Sequence, residues 1–205
     1  MEVYAAMIDR MDQNIGRVLD KLEETGKLEN TLIMFVSDNG ASAEMVRIED
    51  DYGEIGTMTL WSSLGGDWAN VGNTPFRYYK NYSYEGGINT PFIAWWPGKI
   101  EAGTFSEFPG HFIDFMPTLV EISGAEYPEN FNDQQITSMQ GKSLLPVLRG
   151  EDVERDKPIF WEWSDGQAAY NNSWKIVKEG LDNPWDLYNL EDDPTETNNL
   201  AEQQP

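Results

Sequence analysis

The chain has 205 residues, 40% of them hydrophobic, and sets 36 Asp and Glu against 14 Lys and Arg for a net charge of −22; its pI is near 4.1. That length supports one sizeable core, or one domain with a small appendage, and the acidity argues against nucleic acid or an anionic membrane as partner, since both require a basic footprint. Cysteine is absent, which removes disulfides, thiolate nucleophiles and zinc–thiolate sites and leaves the compartment open.

Residues 4–24 carry Met7, Ile8, Met11, Ile15, Val18, Leu19 and Leu22 at three-to-four spacing, which predicts an amphipathic helix, with Gly26 as its stop. Residues 31–36 form a nearly unbroken apolar run and read as a strand buried on both faces. A helix, a short turn and a buried strand make half of a βαβ unit, so the strand before the helix is expected to be missing and the chain reads as the middle of a domain. The run stops at Ser37-Asp38-Asn39-Gly40. At the carboxyl end of a strand in an open α/β sheet, a carboxylate beside an amide oxygen suits a hard divalent cation. Asp-Asn-Gly is equally a common turn, and on this stretch alone both readings stand.

From 41 to 73 the composition is rich in Gly, Ser, Asp and Trp without period, which predicts a long loop. Within it, residues 61–68 offer Trp61 and Trp68 either for stacking on an aromatic or sugar ring or for packing. The acids at 49–51 and 191–193 read as solvated surface. Residues 73–87, NTPFRYYKNYSYEGG, hold Arg77 and Lys80 in a chain poor in cations. Beside carboxylates, Lys80 either binds an anionic ester and stabilises its leaving oxygen or pairs with a neighbouring acid; Arg77 is expected to pair with surface acids. Residues 90–96 predict a strand, 114–122 a helix stopped by Gly124, and 143–149 a short helix ending at Gly150. His111, the sole histidine, sits at the entrance of the 114–122 helix, where a packing role is favoured over reaching a site from its loop. Three strand-like segments follow at 158–163, 173–178 and 185–190, suggesting a small antiparallel sheet, and from 191 onward an extended coil is expected. No segment approaches the ~20 apolar residues of a membrane span, nor does the start show a basic region followed by an apolar core.

Taken together, SDNG after a strand, the spacing of Lys80 to Glu85 in KNYSYEGG, INTPFIAWWPGKI, IDFMPTLVEISGA, GKSLLPVLRG and WDLYNLEDDPTETNNLA resemble the C-terminal part of the sulfatase family, in that family's order and over nearly the whole chain. NTPFRYYKNYSYEGG looks closest to bacterial arylsulfatases. The resemblance implies an α/β fold, namely the C-terminal part of an alkaline-phosphatase-like sheet-and-helix domain (1–150) plus a small antiparallel β subdomain with a tail (151–205). It implies hydrolysis of a sulfate ester on a small molecule or glycan, Asp38 and Asn39 as two ligands of a divalent cation, usually calcium, and Lys80 as a catalytic contact to sulfate and leaving oxygen. A full-length parent would be periplasmic or secreted.

The family's nucleophile is a formylglycine made from the first residue of Cys/Ser-x-Pro-x-Arg, and no such run stands in this sequence. Asn73-Thr74-Pro75-Phe76-Arg77 has the spacing, but an amide cannot become the aldehyde. The chain is therefore expected to be an inactive portion of an arylsulfatase. A phosphate or phosphonate ester hydrolase of the same superfamily, or a non-catalytic binding module derived from the fold, are the alternatives. A strand edge left unpaired also favours self-association.

Overall fold

The structure is a computed structural model and describes residues 1–46, 48 and 52–204; the acidic cluster anticipated at 49–51 lies outside the described residues. The chain packs as two units, one of residues 1–28, 35–93 and 159–205, the other of residues 29–34 and 94–158.

In the first unit, α1 (Glu2–Glu24) ends at Thr25, and Gly26 adopts the left-handed conformation expected of a helix stop. No residue of α1 is buried. Its stripe is in place and half-buried at Ile15, Leu19 and Leu22, yet Met7 is 66% and Val18 60% exposed. Strand β1 (Ile33–Val36) pairs with β2 (Phe92–Trp95) in a two-stranded sheet. The expectation of a strand buried on both faces fails here: β1 is only half-buried, and Phe35 is exposed. The anticipated loop at 41–73 contains a helix, α2 (Gly65–Gly72), whose two leading glycines hid it from a propensity reading. A single turn, α3 (Glu85–Ile88), is buried at Glu85, Gly86 and Gly87.

The second unit contains a 3₁₀ turn at Phe112–Asp114 leading into α4 (Phe115–Ser123), capped by Gly124 at φ 66°. It also holds a two-residue hairpin of β3 (Asn130–Phe131) and β4 (Gln134–Gln135), and the short α5 (Leu145–Leu148) with proline in its first turn. Asp114 fastens this unit together. Wholly buried, its carboxylate accepts from the backbone N–H of His111 and Lys142, both at 2.8 Å, and pairs with the Arg155 guanidinium. Thr118 donates to the Asp114 carbonyl at 2.6 Å and accepts from the Leu144 N–H at 2.8 Å.

Residues 159–205 return to the first unit as a four-stranded antiparallel sheet in the order β5 (Ile159–Trp163), β6 (Gly166–Asn171), β7 (Trp174–Glu179), β8 (Asp186–Asn189). Only three strands were expected. The missed one, β6, reads GQAAYN, poor in β-formers, and its place between β5 and β7 is set by pairing on both sides. The buried face carries Ala168, Val177 and Tyr188, which cluster with Tyr84 and are packed by Tyr78, Tyr82, Trp161 and Leu190. Burial of Ile159 and Val177, 2% and 0% exposed, contributes about 1.5–3 kcal/mol each. The tail is not an extended coil. Asp193 accepts from the N–H groups of Thr197 and Asn198 at 2.8 Å each, Leu200 N–H donates to Leu187 O at 2.8 Å, and Glu196 is 1% exposed.

Candidate active site

The chain directly after β1 is laced to the segment holding Lys80. Gly40 N–H donates to Gly87 O at 3.0 Å, and Lys80 N–H donates to Ala41 O at 3.1 Å. Asn73 joins three pieces at once: its Oδ1 accepts from Ala41 N–H at 3.0 Å, and its Nδ2 donates to Tyr78 O at 3.1 Å and to Gly86 O at 2.8 Å. These approaches need glycine. A Cβ on Gly40 would lie 1.8 Å from Gly86 O, and one on Gly86 would lie 2.2 Å from Tyr78 O. Sequence reasoning noted the glycines but missed Asn73, whose only signal was its place before Thr-Pro.

Asp38 is exposed and Asn39 half-buried at the mouth of β1, with Ser37 Oγ donating to Asn39 O at 2.9 Å. Their side-chain oxygens are hard donors of the type a divalent cation takes, and none is used in a hydrogen bond or ion pair among the described residues. They fit such an ion as a partial ligand set, since calcium usually takes about 6–8 oxygens. Among the described residues no three His, Asp or Glu side chains converge on one point.

Lys80 is 32% exposed, and its Nζ donates to Glu44 Oε2 at 2.8 Å. Glu44 also accepts from Ser42 Oγ at 3.0 Å, and the Lys80 hydrogen bond, ahead of those from Ser42 and Asn81, holds its carboxyl below the usual range. Both Lys80 and Glu44 line a cavity of about 510 Å³ whose other walls include Tyr79, Asn81, Tyr82, Trp163, Asp165 and Glu179. Glu179 accepts from the Ser83 N–H, while burial pushes its carboxyl up.

Arg77 does not pair with surface acids. It donates to Tyr188 OH at 3.0 Å, to Glu196 O at 3.4 Å and to Tyr78 OH at 3.3 Å, and its guanidinium lies 4.5 Å from the Tyr84 ring centroid. Beneath it, Lys175 Nζ reaches Glu85 Oε1 at 2.6 Å and Glu196 Oε1 at 2.7 Å, while Glu196 Oε2 accepts from Glu85 N–H at 2.7 Å. This buried trio fixes the start of α3, and with it Gly86 and Gly87, against the sheet. Lys175 was legible only as an inward position on an alternating strand, where a lysine contradicts the pattern.

His111 belongs to the second unit, where it caps the 3₁₀ turn: its Nδ1 accepts from Ile113 N–H at 3.2 Å, and burial pushes its imidazole down. Asp38, Asn39 and Lys80 are thus brought onto one laced framework, and His111 is placed as a helix cap. Trp61 and Trp68 are 56% and 50% exposed.

Residues 1–125 match the Sulfatase family, and residues 75–205 match the family described as N-sulphoglucosamine sulphohydrolase, C-terminal. An uncharacterized sulfatase of Schizosaccharomyces pombe is 31% identical over 224 residues, covering 100% of this chain and 40% of the relative. An arylsulfatase of Klebsiella aerogenes is 35% identical over 164 residues, covering 72% of this chain and 34% of its own length. Among solved structures, Ps i-CgsB in complex with k-i-k-neocarrahexaose superposes with a TM-score of 0.74 at 26% identity, over 98% of this chain and 39% of that one. The phosphonate monoester hydrolase SpPMH from Silicibacter pomeroyi shares the fold, with a TM-score of 0.62 at 23% identity. The chain spans about two fifths or less of the length of these relatives and has part of an alkaline-phosphatase-like fold. On the match over residues 1–125, the chain belongs to the sulfatase family.

Proposed function

We propose that these residues form the C-terminal part of a sulfate ester hydrolase acting on a sulfated glycan, with 1–150 completing the catalytic domain and 151–205 forming a small appended subdomain. The observation that carries this reading is the lacing of residues 40–41 to Lys80 and Gly87, which sets Asp38 and Asn39 on the same framework as Lys80, the one cation among the described residues that line the cavity. Lys80 contacts the sulfate and stabilises the alkoxide or phenoxide that departs as the S–O bond to the leaving group breaks. Its exposed pair with Glu44 holds it weakly, so an arriving sulfate competes for the ammonium. Asp38 and Asn39 would hold one side of a divalent cation, calcium by preference, whose chemistry when bound is to offset the charge of the sulfate. The nucleophile, a formylglycine, comes from outside these residues, so the 205-residue chain by itself turns over no ester.

A glycan is favoured over a simple aryl ester because the cavity beside Lys80 is lined by groups that hydrogen-bond hydroxyls, and because Ps i-CgsB was crystallised with neocarrahexaose. The test is hydrolysis, by a chain carrying these residues together with an upstream Cys/Ser-x-Pro-x-Arg motif, of a sulfated oligosaccharide, 4-nitrophenyl sulfate and 4-nitrophenyl phosphate. Release of sulfate in preference to phosphate is expected. A preference for the phosphate ester would move the assignment to a phosphate or phosphonate hydrolase, and inertness toward all three would leave a binding module.

A further inference from the structure

The hairpin joining β5 to β6 projects into the cavity beside Lys80 and belongs to no part of the proposed ester chemistry. Trp163, at its tip, is 62% exposed and lines the cavity together with Ser164 and Asp165. The tip is tied to the sheet: Trp163 is in register with Gly166, Ser164 takes φ 52°, and Gly180 N–H donates to Asp165 O at 3.1 Å. An indole held half in water on a fixed turn offers a flat apolar face at little entropic cost to a ligand. Around it stand polar groups rather than aliphatic ones: Glu44, Asn81, Asp165 and Glu179, with Lys80 at the shared edge. Among the described residues, three acidic side chains and one lysine thus line the cavity, and Glu44 already engages that lysine at 2.8 Å.

We infer that this cavity is a subsite for a neutral saccharide ring adjoining the sulfated one, stacked on Trp163 with its hydroxyls donating to Asp165 and Glu179. The inference rests on the reading of Lys80 as the sulfate contact, which sets the direction of the glycan from Lys80 toward Trp163. An aromatic ring here would leave the carboxylates desolvated without donors, whereas a pyranose supplies hydroxyl donors to each. A second sulfate on the adjoining ring would meet Asp165 and Glu179, and the one cation among the described residues lining the cavity, Lys80, is already engaged, so the subsite discriminates by repulsion. The cavity lies within the ~300–1,000 Å³ typical of small-ligand sites.

The test is calorimetric titration of the 205-residue chain with monosulfated lactose and monosulfated N,N′-diacetylchitobiose, and with a form of each that carries a sulfate on both rings. Saturable binding of at least one monosulfated disaccharide is expected, with affinity for its disulfated form lower by about tenfold. Trp163→Ala should weaken the monosulfated ligand by roughly tenfold, and Asp165→Asn should narrow the gap between monosulfated and disulfated forms. Because Trp163 is exposed, the fold is expected to survive both changes, which circular dichroism checks. Absence of binding by every monosulfated disaccharide, equal or better binding of the disulfated forms, or indifference to Trp163→Ala overturns the subsite. These binding outcomes are independent of whether a longer chain hydrolyses sulfate esters, so failure of the subsite and failure of the proposed activity are read separately.

Discussion

Lys175 Nζ lies 2.7 Å from Glu196 Oε1 with both side chains wholly shielded from solvent, although one residue belongs to a strand and the other to the turn-rich tail. Lys175 also pairs with Glu85 at 2.6 Å, so removing the lysine leaves two buried carboxylates without a cation. Lys175→Met should therefore lower stability by about 3–5 kcal/mol, read as a shift of the urea midpoint. A Glu85→Leu, Lys175→Met, Glu196→Leu triple variant should recover much of that loss, since well-packed apolar side chains replace a buried ionic cluster at little cost. A triple variant no more stable than the single one would show that shape, not charge, holds the tail.

Alkaline pH should unfold the first unit in a defined window. Burial first, and Asp186 second, push the phenols of Tyr84 and Tyr188 up, Tyr188 to about 12. An unfolded tyrosine loses its proton near pH ~10, so above that pH the unfolded state binds fewer protons than the folded one and stability falls as pH rises. The contribution is complete below pH ~10 and lost on passing through about 12. Tyr188→Phe should flatten the decline over this window, measured as urea midpoints at stepped pH.

Gly86→Ala should separate the two halves of the candidate site. The added Cβ would sit 2.2 Å from Tyr78 O and 2.3 Å from Arg77 O, and both are backbone atoms that cannot swing away. A loss of about 3 kcal/mol is expected. Gly98→Ala, with open space around its Cβ but φ 66°, is the control for backbone strain alone and should cost about 1 kcal/mol.

Lys80→Ala and Arg77→Ala should fail in different ways in a chain that includes the upstream motif. Loss of the Lys80 charge should cut kcat by about 10²–10³. Arg77→Ala removes the bonds to Tyr188 and Glu196 and the stacking on Tyr84, so it should lower stability by about 1–3 kcal/mol with kcat of the folded fraction nearly unchanged. If the two changes trade severity in kcat, Lys80 loses its role.

Calcium should bind the 205-residue chain weakly, because on the proposed reading Asp38 and Asn39 would supply only two of the ~6–8 oxygens it usually takes. Calorimetry checks this. Tight binding that survives Asp38→Ala would place the ion elsewhere.

Elements with strong periodic or punctuation signals were legible in the sequence: the stripe from Met7 to Leu22, the apolar run entering Asp38, and Gly124 and Gly150 as helix stops. Missed elements were those whose structure is dictated from afar. Strand β6 is weak in propensity and held by neighbours on both sides, and α2 opens on two glycines. For the site, Asp38, Asn39 and Lys80 were visible as chemistry, while the parts that hold them, Asn73 and the Glu85–Lys175–Glu196 trio, join residues up to 111 apart in sequence, beyond the reach of any local pattern. Arg77 was misjudged because an exposed pairing is the default for a cation in an acidic chain, and only the fold reveals that tyrosines surround it.

The late position of Glu196 sets an order of events during synthesis. Glu85 and Lys175 leave the ribosome well before it, and until it follows, Lys175 has one carboxylate where the finished protein gives it two. A lysine short of a partner resists burial. A nascent chain stalled before residue 196 is therefore expected to hold Lys175 and Glu85 against the sheet less firmly than the finished one does.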